Sequence, residues 1–151
     1  MSNLQDQSQD FESRVRDSFA RQRVMQLIGA ELRSVERGAV EIVLPFRDDL
    51  TQQHGFIHAG IITAIADSAC GYAAFTLMPE GADVLSVEFK TNLLRPAQGK
   101  QFIAAARVLK PGKTLTVVKC DVFADSPEES KMVATMLATM ICRGHMSGAR
   151  L

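Results

Sequence analysis

One carboxylate in this sequence is a candidate for chemistry because its neighbours in the chain are so apolar. Residues 59–78 are apolar, small or neutral polar apart from Asp67. An unpaired charge is costly to bury, and burial raises the pKa of a carboxyl group and makes it a better base. Two interpretations stay open at this point: Asp67 is a general base, or it is a structural residue satisfied by neighbouring hydroxyl groups.

The start of the same stretch could bind an anion. Ala59 and Gly60 fall where a helix is expected to begin, and the first N–H groups of a helix have no internal partner. Gly60 would also let a ligand approach the backbone closely. The alternative is that this Ala-Gly pair only permits tight packing. Cys70 follows Asp67 by one helical turn, but no base is arranged for it, so we interpret Cys70 as a small core residue.

A single helix must position these groups. Residues 52–78 are predicted to form a turn and then a helix of about five turns. A helix that is apolar all round lies in a protein core or in a membrane. Polar interruptions such as Thr63 and Ser68, the high Ala and Gly content, the lack of charged flanks and the strand-like neighbours all favour a core helix.

Composition narrows the class of protein. The 151 residues suit one domain, and 17 basic residues balance 17 acidic ones, which argues against nucleic acid and anionic membranes as partners. Cys70, Cys120 and Cys142 are odd in number and lack disulfide or metal spacing, which indicates a reducing compartment. The first 14 residues do not resemble a signal peptide. We therefore expect a cytoplasmic protein.

Periodicity gives the remaining elements. Residues 1–6 are predicted to be loose, and residues 7–28 to form an amphipathic helix with Gly29 as its C-cap. The apolar positions of that helix are Phe11, Val15, Phe19, Val24 and Leu27. Two strands with an Arg37-Gly38 turn precede the central helix, and four strands and a polar tail follow it. The predicted strands cover residues 30–34, 39–45, 85–94, 102–109, 114–124 and 132–143, and the tail covers residues 145–151.

This order of elements predicts an α+β domain spanning residues 1–151, with its core at about residues 29–144. Successive strands joined by short turns form an antiparallel sheet, which must curl around the central helix to cover it. The outer sheet surface and the N-terminal helix still need partners. An oligomer is therefore expected.

A motif within this order resembles a known family. The pattern Gln52-x5-His58-Ala59-Gly60-x6-Asp67 is similar to the Asn-x5-His-Gly-Gly-x6-Asp of hotdog-fold acyl-CoA thioesterases. The similarity is to the phenylacetate-pathway type of the 4-hydroxybenzoyl-CoA thioesterase superfamily. It extends over residues 27–144, with further matching segments at residues 85–89, 94–96 and 109–115. The resemblance implies a curved antiparallel sheet wrapped around one long helix, here with an extra N-terminal helix.

The resemblance also implies a reaction, the hydrolysis of a medium-chain or aromatic acyl-CoA to the free acid and coenzyme A. Asp67 would be the general base or nucleophile, and the N–H groups of Ala59 and Gly60 would stabilise the oxyanion. Gln52 would orient water or the thioester, and Ser86 would help to place the water. The role of His58 would be chiefly structural, with a direct role less favoured, and His54 is a weaker candidate still.

Coenzyme A would enter as part of the substrate, with no separate cofactor and no metal. The basic residues at turns and strand ends, which are candidates to hold its phosphates, are Arg95, Lys110, Lys113 and Arg143. In relatives the active site lies between two subunits. A homodimer or a dimer of dimers, that is a homotetramer, is therefore expected, with Asp67 of one chain facing the segment 52–60 of its neighbour.

Two other functions stay open. Hotdog proteins that hydrate or dehydrate acyl thioesters usually carry an Asp–His or His–Glu dyad in another motif, which is not found in this sequence. A non-catalytic acyl-CoA binding or sensing module would keep the cavity without efficient chemistry. Gln52 and Ala59, where relatives have Asn and Gly, are the departures that favour this second alternative.

Overall fold

A computed structural model of the protein describes residues 3–126 and 129–144, with side chains from residue 11 onward. The helices are α1 (Asn3–Ala20), α2 (Arg23–Ile28) and α3 (Ala59–Phe75), with a short 3-10 turn at Asp48–Leu50. The strands are β1 (Glu31–Glu36), β2 (Ala39–Pro45), β3 (Ala82–Leu93), β4 (Gln101–Lys110), β5 (Leu115–Asp125) and β6 (Ser130–Gly144). The predicted tail, residues 145–151, lies outside the described residues.

The six strands form one antiparallel sheet in the order β1-β2-β4-β5-β6-β3. The predicted turn at Arg37-Gly38 joins β1 to β2, and Gly38 has the positive φ of 80° that such a turn favours. Because α3 lies between β2 and β3 in the chain, β3 reaches the far edge of the sheet and pairs there with β6. The predicted α+β architecture is confirmed.

The core lies between α3 and the concave face of the sheet. α3 packs against β2, β3, β4, β5 and β6, so the sheet curls around it as predicted. Alternate residues of β4 and β5 are buried, for example Ala104 and Val122, which is the period-two pattern of a one-sided strand. Small side chains on both layers, including Ala73 on α3 and Ala104 on β4, allow the helix to approach the sheet closely.

α3 is three residues shorter than predicted. It ends at Phe75 because Thr76 forms the C-cap: its hydroxyl donates to the Ala73 carbonyl at 2.7 Å and accepts from the Gly38 N–H at 2.7 Å. The central helix is thereby tied to the β1–β2 turn. None of the helices in the described ranges has both the length and the apolar character that a membrane crossing requires.

The predicted N-terminal helix is two helices, and it starts earlier than predicted, at Asn3. Val15 and Met25 are both fully buried, yet on one straight helix they would point about 80° apart. The break at residues 21–22 turns both toward the core. Gly29 ends α2 with φ 77°, which confirms the predicted C-cap.

Two apolar positions of the predicted N-terminal helix are not buried. Val24 and Leu27 were expected on the buried face, but the break in the helix leaves both of them exposed in the single chain. The buried side chains of α2 are instead Met25 and Ile28.

Strand β3 forms an open edge of the sheet. A register shift between Ser86 and Glu88 marks a β-bulge in its pairing with β6. Beyond the bulge, Phe89 and Leu93 pair with Ala138 and Ala134, which are both buried, so they lie on the concave side. They nevertheless stay 43% and 57% exposed in the single chain. This edge is therefore incompletely covered.

Candidate active site

Asp67 is held by a hydroxyl from the edge strand. It lies in the middle of α3, and the Ser86 Oγ donates a hydrogen bond of 2.6 Å to its Oδ1. Ser86 faces the helix because it pairs with the buried Met140, and its Oγ also lies 3.4 Å from the Met140 sulfur. The β-bulge directly after Ser86 fixes where this hydroxyl meets the carboxylate. The second oxygen of Asp67 has no hydrogen-bond donor among the described residues.

The surroundings of Asp67 are more polar than the sequence predicted. Asp67 is half-buried and lines a cavity of about 280 Å³ that opens to the surface. The cavity lining consists of Ser18, Gln22, Asp67, Ser68, Gly71, Tyr72, Val84, Leu85, Ser86 and Met140. The expectation of a dry, apolar setting is therefore wrong for the single chain, because α1 and β3 supply hydroxyl and amide groups that the helix sequence does not reveal.

The beginning of α3 offers one open backbone donor. His58 is the N-cap residue, and its Nδ1 accepts the Gly60 N–H at 2.9 Å. The Ala59 N–H has no acceptor in the described part of the chain. An exposed imidazole thus occupies one of the two N–H groups predicted to stabilise an oxyanion, and Ala59 presents the other.

The loop before α3 places Gln52 in the same cavity as that open donor. The Gln52 side-chain oxygen accepts the His54 N–H, and the Gln52 N–H donates to the Phe56 carbonyl at 2.8 Å. The amide nitrogen of the Gln52 side chain has no acceptor among the described residues, so it is a free donor. Gln52 and Ala59 both line a mostly apolar cavity of about 450 Å³.

The carboxylate and the helix N-terminus do not meet within one chain. Ala59 and Asp67 are eight residues apart on the same helix, which is about 12 Å along its axis. They line separate cavities, one of about 450 Å³ and the other of about 280 Å³. Within one chain the predicted site residues therefore fall into two separate groups, which we call half-sites.

The predicted phosphate-binding residues are also divided. Arg95 lies beside the 450 Å³ cavity, and one of its guanidinium nitrogens donates to the Met132 carbonyl at 2.7 Å. Lys113 and Arg143 lie at the opposite end of the sheet, because Arg143 is about 35 Å from Met132 along β6. Lys110 closes β4 at that same end. One chain does not bring the four residues together.

Cys70 is fully buried and contacts a second thiol. This contact with Cys70, and then burial, raise the pKa of Cys120 well above its ordinary value of 9.0. Both cysteines are thiols with no exposed surface. The structure thus places Cys70 in the core, as predicted.

Sequence reasoning missed several residues around the two half-sites. Ser18 of α1 and Gln22, which lies between α1 and α2, line the Asp67 cavity. Lys100 and Lys131 join Arg95 in a depression of about 710 Å³ beside the apolar cavity. The face of α1 that would meet α3 could not be read from the sequence. The one helical-spacing signal for this cavity was Gly71, which follows Asp67 by four residues, about one turn of α3.

Fold and sequence comparisons together define the class of protein. A sequence model of the Thioesterase superfamily matches residues 54–131, just over half of the chain. These residues include His58, Ala59, Gly60, Asp67 and Ser86. The chain belongs to this superfamily, has the hotdog fold and is a thioester hydrolase.

Particular relatives support this assignment. A thioesterase family protein from Silicibacter pomeroyi is 51% identical, with a TM-score of 0.87 over 89% of this chain and 98% of that one. The 1,4-dihydroxy-2-naphthoyl-CoA hydrolase of Listeria monocytogenes is 27% identical over 62% of this chain and 76% of that protein. The E. coli PaaI protein of the phenylacetic acid degradation operon is 18% identical and shows the same fold, with a TM-score of 0.79 over 93% of this chain and 96% of that one.

Proposed function

We propose that the protein is an acyl-CoA thioesterase whose active sites form between subunits of a homo-oligomer, with Asp67 as general base or nucleophile. The observation that carries this proposal is the division of the site. A carboxylate oriented by Ser86 and an open N–H at Ala59 lie on one helix, but about 12 Å apart. A second copy of the chain in the opposite orientation brings one half-site to the other.

The open edge of the sheet supports this assembly. If β3 pairs with β3 of a second copy about a two-fold axis, the two α3 helices run in opposite directions. The N-terminus of each helix then faces the middle of the other. Such pairing also covers Phe89 and Leu93, which the single chain leaves exposed, and satisfies the free backbone groups of the edge. A dimer of dimers remains a further proposal.

In the proposed reaction Asp67 has two routes to the same products. As a base it removes a proton from water, and the resulting hydroxide attacks the thioester carbonyl carbon. As a nucleophile it attacks that carbon itself, and water then hydrolyses the mixed anhydride. In both routes the C–S bond breaks, the acid is released and the thiolate of coenzyme A takes up a proton.

The oxyanion is stabilised from the other subunit. The Ala59 N–H lies at the positive end of α3, and the free amide nitrogen of Gln52 lines the same cavity. Gly60 contributes its N–H when the His58 ring turns away. This gives His58 a capping role and makes Ala59 and Gln52 the principal donors.

The coenzyme A part of the substrate extends through the apolar cavity toward basic side chains. That cavity shares Phe56, Arg95, Pro96 and Val133 with the depression lined by Lys100 and Lys131. An apolar slot leading to three cations suits a pantetheine arm that ends in phosphates. Lys110, Lys113 and Arg143 approach this path only from a partner subunit.

The acyl group, the cellular location and the need for a cofactor are also proposals. A medium-chain or aromatic acyl group, a cytoplasmic location and the absence of a separate cofactor all rest on the sequence and on the resemblance. Release of free coenzyme A is the property that the first experiment should measure.

The test is thiol release from a panel of short, medium, long and aromatic acyl-CoAs by wild type and by Asp67→Asn. Asn preserves the size of the side chain but cannot act as a base, so the rate should fall about a hundredfold or more. Asp17→Asn, on the exposed side of α1, is the matched control and should keep the wild-type rate.

Two outcomes would contradict the proposal. Equal rates for wild type and Asp67→Asn would remove Asp67 from the mechanism. Tight binding of acyl-CoA by wild type without turnover would identify a non-catalytic binding module instead.

A further inference from the structure

The N-terminal helices form one wall of the Asp67 cavity. Ser18, near the end of α1, and Gln22, between α1 and α2, line the same space of about 280 Å³ as Asp67. Both side chains are half-buried. They lie outside the superfamily match, which begins at residue 54. The N-terminal part of the chain, outside the matched region, therefore supplies this wall.

The wall is fixed against α3 by direct contacts. The hydroxyls of Ser18 and Tyr72 are 3.2 Å apart, and Ser68 donates to the Gln22 side-chain oxygen at 2.9 Å. The Phe19 ring meets the Tyr72 ring edge-on, with centroids 5.9 Å apart. Hydrogen bonds and ring packing together hold Ser18 and Gln22 at a set distance from the helix that carries Asp67.

α1 is also anchored at the other end of α3. Arg14 donates to the carbonyls of Met78 and Pro79, each at 3.2 Å, and its guanidinium lies 5.3 Å from the centroid of the Phe75 ring. The wall is therefore held at both sides of the cavity and does not depend on one hydrogen bond.

The wall is polar but neutral. Burial raises the pKa of Tyr72 above its ordinary value of 10.0, against smaller opposing effects of the Ser18 hydrogen bond and the Arg21 charge, so this phenol stays protonated at neutral pH. The Gln22 side-chain nitrogen has no acceptor among the described residues. None of the described residues that line the cavity is Lys or Arg, and Asp67 repels a second carboxylate.

The position of the wall beside Asp67 indicates that the wall contacts the acyl group of the substrate. In the proposed function the carrier lies on the Ala59 side of the thioester carbonyl, which reacts beside Asp67. The residues on the far side of Asp67 from the carrier, which include this wall, then surround the acyl group. The volume of about 280 Å³ is just below the roughly 300–1,000 Å³ of pockets for drug-sized ligands, so this cavity suits a short acyl group better than the medium-chain or aromatic group that the resemblance implies.

We propose, on the basis of the function proposed above, that Ser18 and Gln22 determine acyl specificity. They select short acyl groups with a neutral hydrogen-bonding substituent, such as a hydroxyl, over plain alkyl groups and over acyl groups with a second carboxylate. Both are specificity-determining residues that contact the acyl group, and neither takes part in the proton transfers.

The experiment compares kcat/KM for butyryl-CoA, 3-hydroxybutyryl-CoA and succinyl-CoA. Wild type should prefer 3-hydroxybutyryl-CoA over butyryl-CoA about fivefold, as expected for one net hydrogen bond, and should use succinyl-CoA least. Ser18→Ala and Gln22→Leu should each reduce this preference, whereas Ser18→Thr keeps the hydroxyl and should retain it. Gln22 makes no side-chain capping bond to α2, so Gln22→Leu removes no helix cap.

A size variant tests the same wall independently. Ser18→Leu should reduce kcat/KM for hexanoyl-CoA about tenfold more than for acetyl-CoA, because the larger side chain fills the cavity. Ser13→Leu, an exposed position of α1, is the matched control and should leave both values unchanged. Thermal unfolding of each variant establishes that it is folded.

The outcomes distinguish a failure of this inference from a failure of the function proposed above. If Asp67→Asn loses turnover but the Ser18 and Gln22 variants keep the wild-type acyl profile, the specificity wall is wrong and the thioesterase mechanism stands. If Asp67→Asn hydrolyses all substrates at the wild-type rate, the proposed mechanism fails, and the inference fails with it.

Discussion

At the scale of single residues, the proposed role of Ala59 can be tested by a substitution that removes its backbone N–H. Ala59 is the first residue of α3, where proline suits a helix, and His58 has the extended ψ of 136° that a residue before proline adopts. Ala59→Pro should therefore keep the helix but lose the proposed oxyanion donor. We expect kcat to fall about a hundredfold or more while the thermal unfolding temperature changes little.

Ala59→Gly is the control, because it retains the N–H and resembles the Gly of related sequences. Its kcat should stay within a few-fold of wild type. An unchanged kcat in a folded Ala59→Pro variant would exclude this N–H from oxyanion stabilisation.

The buried thiols give a prediction about pH. Contact with Cys70 and burial raise the pKa of Cys120 in the folded protein, so at alkaline pH the unfolded chain loses this proton while the folded chain keeps it. The free energy of unfolding should therefore fall as pH rises above 9.0, the ordinary value. Below that pH the contribution is fully present.

Urea unfolding between pH 7 and pH 10 measures this effect. Cys120→Ala removes the titrating group, so its free energy of unfolding should fall less steeply with pH than that of wild type. Parallel pH profiles for the two proteins would show that Cys120 does not contribute.

At the scale of elements, the open edge formed by strand β3 gives a prediction about dimer formation. Phe89 lies on the concave side of this open edge and is exposed in the single chain, so a charge there should prevent a second copy from pairing. Phe89→Lys should give a folded monomer by analytical ultracentrifugation, with turnover reduced about a hundredfold because each site loses one half.

Leu109→Lys is the matched control, since Leu109 is equally apolar and exposed but belongs to β4. It should retain the dimer and its activity. A fully active Phe89→Lys monomer would contradict the division of the site between subunits.

The elements themselves were largely predictable. Strand periodicity placed all six strands to within three residues, because β2, β4, β5 and β6 alternate buried and less buried residues and Gly or Pro lies in the turns between strands. The break at residues 21–22 was not predictable, since it depends on where the core meets Val15 and Met25. The end of α3 was also missed, because the Thr76 cap involves Gly38 from a distant turn.

The site was predictable in part. The motif predicted Asp67 and the helix N-terminus, because their spacing is local, and the separate matching segment at residues 85–89 predicted Ser86. Ser18 and Gln22 gave no such signal: they approach Asp67 only through the packing of α1 on α3. The expectation of a dry carboxylate failed for the same reason.

At the scale of the whole molecule, a mixture of two inactive variants should regain activity. If Asp67 and Ala59 act in different subunits, a heterodimer of Asp67→Asn and Ala59→Pro contains one intact site and one doubly altered site. Random association should then restore about a quarter of the wild-type activity. Co-expression with two different tags and measurement of thiol release test this.

The two homodimers, each with a single type of substitution, are the internal reference, since each variant alone should stay inactive. A mixture as inactive as its components would place Asp67 and Ala59 in the same subunit. Such a result would require a large rearrangement of α3, on which the two residues lie about 12 Å apart.

The position of β3 in the sheet also affects synthesis in the cell. β3 ends at Leu93, but β6, the strand with which it pairs among the described residues, begins about 37 residues later. At a ribosome speed of about 5–20 residues per second, β3 waits roughly 2–7 s without a neighbour. Its apolar side chains, Phe89 and Leu93 among them, are exposed during that interval, and in the proposed dimer they stay exposed until a second subunit binds. Nascent chains therefore pass through two aggregation-prone stages, and the second is shorter when many copies are made close together.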